Sequence, residues 1–208
     1  MLRTAAPALA LLLAAACAPD APSATGPDQA SHAMASRGRG DLGSAVLAEL
    51  AQVRRATARF HDIDAAMAAG YTVWSPNPYA PNATCPTSPS GSMGYHLVNV
   101  PLRGSAANPA AGDAELDPLR PEMLLYEKRA DGSLHLVGVE YLVFKAAWER
   151  VHGAGAAPPT VLGQPVPLSI HTFPGGGDAL IPHYELHVWL WSANPLGMFA
   201  HWNPTVEC

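Results

Sequence analysis

The stretch His183-Tyr184-Glu185-Leu186-His187-Val188-Trp189-Leu190-Trp191 is built of aromatic and aliphatic residues that favour extended backbone, and it predicts a β-strand. Side chains alternate faces along a strand with a period of two. One face then carries His183, Glu185, His187, Trp189 and Trp191, and the other carries Tyr184, Leu186, Val188 and Leu190. The second is an ordinary core face. The first joins two imidazoles and a carboxylate to two indoles, which is not the composition of a solvent face. It predicts a lined cavity with polar chemistry, in which His183, Glu185, Trp189 and Trp191 surround His187.

Working outward, three further segments read as strands, at 93–100, 122–129 and 134–145, and the quoted stretch extends to 181–191. Ala130-Asp131-Gly132-Ser133 between the second and third is a hairpin turn signal. Upstream, Val46, Leu47, Leu50, Val53, Phe60, Ile63 and Met67 recur at helical spacing. Ser44 is the expected cap, His61-Asp62 a break within the helical stretch, and Gly70 the stop. The Pro-rich stretch 72–92 predicts a long loop, 146–152 a short helical segment, and 153–168 a Gly/Pro-rich connection. A helix followed by antiparallel-type strands implies an α+β fold: an N-terminal helix packed on a curved antiparallel sheet or small β-barrel, with 44–208 forming a single domain.

Two other strands bring polar residues to apolar rows. His96 shares a face with Gly94, Val98 and Val100, and Glu140 shares one with Leu136, Gly138, Leu142 and Phe144. A buried carboxylate needs a cation, a hydrogen-bonding partner or a raised pKa. His96, Glu140 and His187, one from each of three strands, form the two-imidazole, one-carboxylate set that recurs at transition-metal sites with open positions. The expected cofactor is a divalent transition metal such as Zn, Cu or Fe. His183 or Glu185 would add a ligand or orient one. Two alternatives stay open: a metal-free polar pocket, and plain structural hydrogen bonding in which Glu140 pairs with Arg120, Arg129 or Lys145. His171 and His201 are extra candidates. There is no zinc-finger spacing, HExxH order, GxSxG, P-loop or haem-attachment motif.

The chain opens like an exported lipoprotein. Met1-Leu2-Arg3 precedes an apolar run over 8–16 that is too short to span a bilayer, and Ala14-Ala15-Ala16-Cys17 resembles a lipobox. The expected organisation is a signal peptide at 1–16, a membrane anchor through a lipid on Cys17, and a flexible tether over 17–43. Plain secretion is the alternative. Either way the protein is extracytoplasmic, belonging to the bacterial cell envelope or its surroundings. Loss of 1–16 removes Arg3 alone among charged residues, taking the net charge from −5 to −6. With no basic stripe, nucleic acid is not an expected partner. Cys85 and Cys208 then remain as a pair expected to oxidise to a disulfide.

The motifs at 186–191, 194–200 and 202–204, together with Cys208, Met93-Gly94-Tyr95-His96-Leu97-Val98-Asn99 and Val139-Glu140-Tyr141, resemble an uncharacterised family of secreted bacterial proteins. The resemblance covers roughly 57–208. It implies secretion and one compact domain and supplies no functional residue. From the residues themselves the expected function is a metal-binding protein with a His/Glu-lined pocket, acting on a small molecule through an open coordination site. The alternative is a non-catalytic envelope lipoprotein that binds a small apolar ligand or a protein partner.

Overall fold

The structure is a computed structural model and describes residues 42–208. The expected signal peptide, the expected lipidation of Cys17 and the expected tether up to residue 41 lie outside the described residues. Helix α1 (Ser44–Thr57) passes through one 3-10 turn (Ala58–His61) into α2 (Ile63–Ala68). Asp62 marks the break: its carboxylate accepts from the Asp64 backbone N–H and caps α2. Ser44 is not the cap of α1. Gly43 holds that position, with no side-chain hydrogen bond.

The main sheet has six antiparallel strands in the order β1 (Val73–Ser75), β4 (Tyr95–Val98), β5 (Met123–Lys128), β6 (Leu134–Phe144), β10 (Ile181–Val188) and β9 (Leu168–His171), curled into a half-barrel. The turn at 130–133 joins β5 to β6, with its Ser133 backbone N–H donating to the Asp131 carboxylate. Short pairs β2/β3 (Thr87–Ser88, Gly91–Ser92) and β7/β8 (Thr160–Val161, Gln164–Pro165) lie outside the sheet, as do helices α3 (Val100–Arg103) and α4 (Lys145–His152). Two edge strands add to the expected set: β1 lies in the Pro-rich stretch read as a loop, and β9 begins where the Gly/Pro-rich connection ends. β1 pairs with β4 despite the prolines that follow it, and β9 pairs with β10 at 168–171. Edge strands pair on one side only, so they need less hydrophobic patterning than central ones.

The two faces of the sheet divide the labour. On one, Leu97, Leu124, Tyr126, Val139, Tyr141, Leu186 and Val188 join Leu50, Val53 and Phe60 of the helical segment in the main core. Full burial of each such side chain stabilises by roughly 1.5–3 kcal/mol. The Tyr126 hydroxyl donates to the Phe60 carbonyl at 2.6 Å, which ties helix to sheet. The other face carries His96, Met123, Glu140, His183, Glu185 and His187. Gly138 sits beside the last of these: a Cβ there would stand 2.7 Å from the Val188 carbonyl oxygen and 3.4 Å from the Trp189 ring. Its lack of a side chain lets β6 and the exit of β10 close up, next to the register shift between Leu125 and Tyr126.

Strand β10 ends earlier than expected, at Val188. The Trp189 backbone N–H leaves the ladder for the Met198 carbonyl, and its indole N–H donates to the Ala200 carbonyl at 2.6 Å. Trp189 thus packs with Leu125, Val137 and Val206 in a small second core.

Candidate metal centre

His96, Glu140 and His187 come from three strands and converge. The register sets Glu140 directly opposite His187 on one side and Met123 on the other. The curl brings His96 across β5 to the same carboxylate. His96 Nε2 stands 3.2 Å from Glu140 Oε2, and His187 Nε2 stands 3.6 Å from that oxygen. Two ligands held 2.0–2.2 Å from one ion at a tetrahedral angle stand roughly 3.4 Å apart. The three ligand atoms lie within 4.8 Å of one another, and all three residues are buried.

Protonation sharpens this geometry. His96 Nδ1 lies 3.2 Å from the Ser75 carbonyl oxygen. A carbonyl only accepts, so Nδ1 carries the hydrogen. In the neutral ring Nε2 then presents a lone pair to Glu140, which is repulsive unless a proton or a cation stands between them. His187 has no hydrogen-bond partner at either nitrogen, and Glu140 Oε2 has none. The cations offered as ordinary partners go elsewhere: Arg120 pairs with Asp117, Arg129 with Glu127 and Lys145 with Glu149. Structural ion pairing with those residues is therefore not what holds Glu140.

Burial pushes His187 down to about 4, against the opposing pull of Glu140. Its imidazole is neutral at pH 7, the form that binds metal without releasing a proton. Its pKa when unfolded is near 6.5. Between these values the unfolded chain binds more protons than the folded one, so stability falls as pH drops through that window. The metal-free protein is expected to lose about 3 kcal/mol from this residue between pH 7.5 and pH 4. Urea unfolding across that range, compared with His187→Gln, measures it; an equally steep loss in the variant would reject the assignment.

A second carboxylate lies further along β10 on the same face. Glu185 Oε2 is 3.5 Å from His183 Nε2 and 3.7 Å from His171 Nε2, while Oε1 is 3.7 Å from His201 Nδ1. Burial raises the Glu185 carboxyl, but His171, His183 and His201 outweigh it and hold it well below the usual carboxylate range.

Both carboxylates face a cavity of about 580 Å³, also lined by His96, His171, His201 and Trp202. The expected indoles are placed differently. Trp189 stacks 6.0 Å from the His187 ring, and Trp191 packs against His61 at 4.6 Å, so neither lines the cavity. His183 is fully buried, with the Phe173 ring 4.7 Å away, and does not line the cavity. No family model, curated protein or solved structure matches this chain. The chemistry of the site must therefore be argued from its own residues.

One of those residues carried no signal in the sequence. Arg103, on the four-residue helix α3, lines the cavity and is 7% exposed. Its Nε donates to the Gly104 carbonyl, and its guanidinium lies 5.7 Å and 5.6 Å from the rings of Phe144 and Phe173. Among the described residues no carboxylate comes within ion-pair distance of it. An arginine in a short loop-like segment has no periodic context that could announce burial.

The disulfide between Cys85 and Cys208 is present, with Cα atoms 5.6 Å apart, and fits an oxidising, extracytoplasmic compartment. No helix among the described residues is long and apolar enough to cross a membrane.

Proposed function

We propose that this is an extracytoplasmic metal-binding protein in which His96, Glu140 and His187 hold a divalent transition metal. His96 and Glu140 line the cavity, and a metal held there would be reachable by a small molecule, so a metal-dependent reaction on a small molecule is the activity this arrangement supports. The observation that carries the reading is the buried Glu140 carboxylate, flanked by two imidazole Nε2 atoms at tetrahedral ligand spacing, with no lysine or arginine among the described residues within ion-pair distance and Arg103 acting on it only from across the cavity. In that role the two histidines are neutral ligands and Glu140 the anionic one. A metal so held would supply Lewis-acid chemistry, lowering the pKa of a bound water or polarising a substrate oxygen. Anchoring to the membrane through Cys17 belongs to the same reading and rests on the lipobox alone.

Metal content by inductively coupled plasma mass spectrometry tests it, on protein exported to an oxidising compartment and purified without a His-tag. At least one equivalent of a single metal is expected, with one equivalent lost in His96→Ala. No metal, even after incubation with Zn, Cu, Fe and Mn, would leave the alternative of a non-catalytic module. The apolar cavity wall of Met93, Met123, Phe173 and Trp202 suits that alternative.

Arg103 narrows the class of small molecule. A buried cation without a direct ion pair is costly, and Glu140, the carboxylate whose charge acts on Arg103, lies beyond ion-pair distance and is committed to the two imidazoles in this reading. The cavity should therefore prefer a carboxylate-bearing compound to its neutral amide by roughly 10–100-fold, the worth of a charge-assisted hydrogen bond. Thermal-shift titration with matched carboxylate and amide pairs reads this preference, and Arg103→Met should erase it while leaving metal content unchanged. Equal binding of both members of each pair by the native protein would reject the role.

A further inference from the structure

The second cluster has the marks of a metal site in its own right. His171 Nδ1 lies 2.9 Å from the Thr172 carbonyl oxygen and His183 Nδ1 2.8 Å from that of Ile181. Each Nδ1 must donate, so in its neutral form each ring turns a bare Nε2 lone pair on Glu185, and the contact is favourable only with a proton or a cation between them. Backbone-anchored imidazoles with the far nitrogen free are the usual arrangement around a bound metal. His183 Nε2 has no hydrogen-bond partner although the residue is 0% exposed, and the Glu185 oxygen left without one is Oε1, on the His201 side. The separations of 3.5 Å and 3.7 Å match tetrahedral ligand spacing, and the three ligand atoms lie within 4.8 Å of one another.

We propose that His171, His183 and Glu185 form a second divalent-metal site, with His201 beside the other carboxylate oxygen, so that the cavity holds two metals.

Glu185 and His187 are two residues apart on one strand face, their Cα atoms roughly 7 Å apart, and the ligand atoms of Glu185, His187 and His201 lie within 4.8 Å of one another, so the two centres are neighbours. His201 stands between them, its ring 4.9 Å from that of His187 and its Nδ1 3.7 Å from Glu185. The ring of Phe173 backs both His171 and His183, at 4.5 Å and 4.7 Å. The second site has its own three ligands. It shares with the proposed function only the premise that this cavity binds metal. A ligand such as a carboxylate, steered by Arg103 across the Phe144 and Phe173 rings, would reach both centres at once.

The test is Zn²⁺ titration of the metal-stripped, disulfide-bonded exported protein, with retained metal counted after dialysis. The native protein should bind two equivalents, Glu140→Gln one and His183→Ala one. Because His183 is fully buried, His171→Ala serves as a second variant: its side chain is 44% exposed on the edge strand β9, so its loss should spare the fold. It should weaken one of the two binding events at least tenfold while near-ultraviolet circular dichroism stays native. Two equivalents in both His183→Ala and His171→Ala, with unchanged affinities, would overturn the second site. So would a native protein with one equivalent that Glu140→Gln removes. One equivalent kept in Glu140→Gln but lost in the two His variants would uphold the second site and reject the first.

Discussion

Glu140→Gln is expected to weaken metal binding at the His96/Glu140/His187 centre by on the order of 10²-fold or more, the loss of a buried anionic ligand being worth about 3 kcal/mol. The same change should leave the metal-free protein as stable as before, or more so. Metal-free, Glu140 is a buried carboxylate, 1% exposed, with one oxygen unpartnered and two imidazoles that do not donate to it in their neutral forms. Burying such a charge opposes folding, and replacing it with a neutral group of the same shape relieves that. A structural ion pair behaves oppositely: removing one partner costs about 3–5 kcal/mol. Two measurements on one variant therefore separate the roles. Zn²⁺ titration gives the affinity, and urea unfolding with chelator gives the metal-free stability. A variant that keeps its affinity but loses several kcal/mol would make Glu140 a structural partner of His96 and end the metal reading at this centre.

The sequence displayed the site better than it displayed the frame around it. His96, Glu140 and His187 were visible because each interrupts an apolar period-two row, and such a row places the odd residue on a buried face. Glu185 and His183 followed from the same alternation. That alternation has no meaning once a strand stops. Trp189 and Trp191 were extrapolated onto the cavity face, whereas the backbone of Trp189 turns to Met198 and its indole to Ala200. Those partners lie about ten residues downstream in an irregular segment, where no local pattern reveals them. The edge strands β1 and β9 were hidden for a related reason. Each is short and pairs on one side only, and in β9 the apolar Leu168 and Ile170 are the exposed positions while Ser169 and His171 face inward, the reverse of a core-facing row. His171 came into the second cluster only through β9, so its place beside Glu185 depends on a pairing that the sequence did not announce. Arg103 is the extreme case: its burial is created by Phe144, Phe173 and Met123, which arrive from three other segments.

Breaking the disulfide is expected to have the largest effect on stability. Cys85 and Cys208 are 123 residues apart in sequence. In the chain-entropy model, closing a loop of that length removes about 5 kcal/mol of unfolded-state freedom. Cys208→Ser should lower the unfolding free energy by about 4–5 kcal/mol and the melting temperature by roughly 10–20 °C for a domain of this size. The double variant Cys85→Ser/Cys208→Ser should match the single one, because the bond is lost in either. The segment that Cys208 terminates has other attachments: Asn203 pairs with Ser92, the Ser92 hydroxyl donates to the Val206 carbonyl at 2.6 Å, and Val206 packs with Trp189. These contacts hold the native segment in place whether or not the bond exists, whereas the bond acts on the unfolded chain. The reduced protein should therefore keep native circular dichroism and its metal stoichiometry at 25 °C, and differ mainly in how readily it unfolds. If instead the loss of stability is under about 1 kcal/mol, the unfolded chain gains no freedom from reduction and the entropic account fails. If metal stoichiometry falls while the protein is still folded, the bond shapes the cavity wall directly. Cys85, Trp202 and His201 all line that wall, so such a fall would tie the second cluster to the oxidised state of the chain.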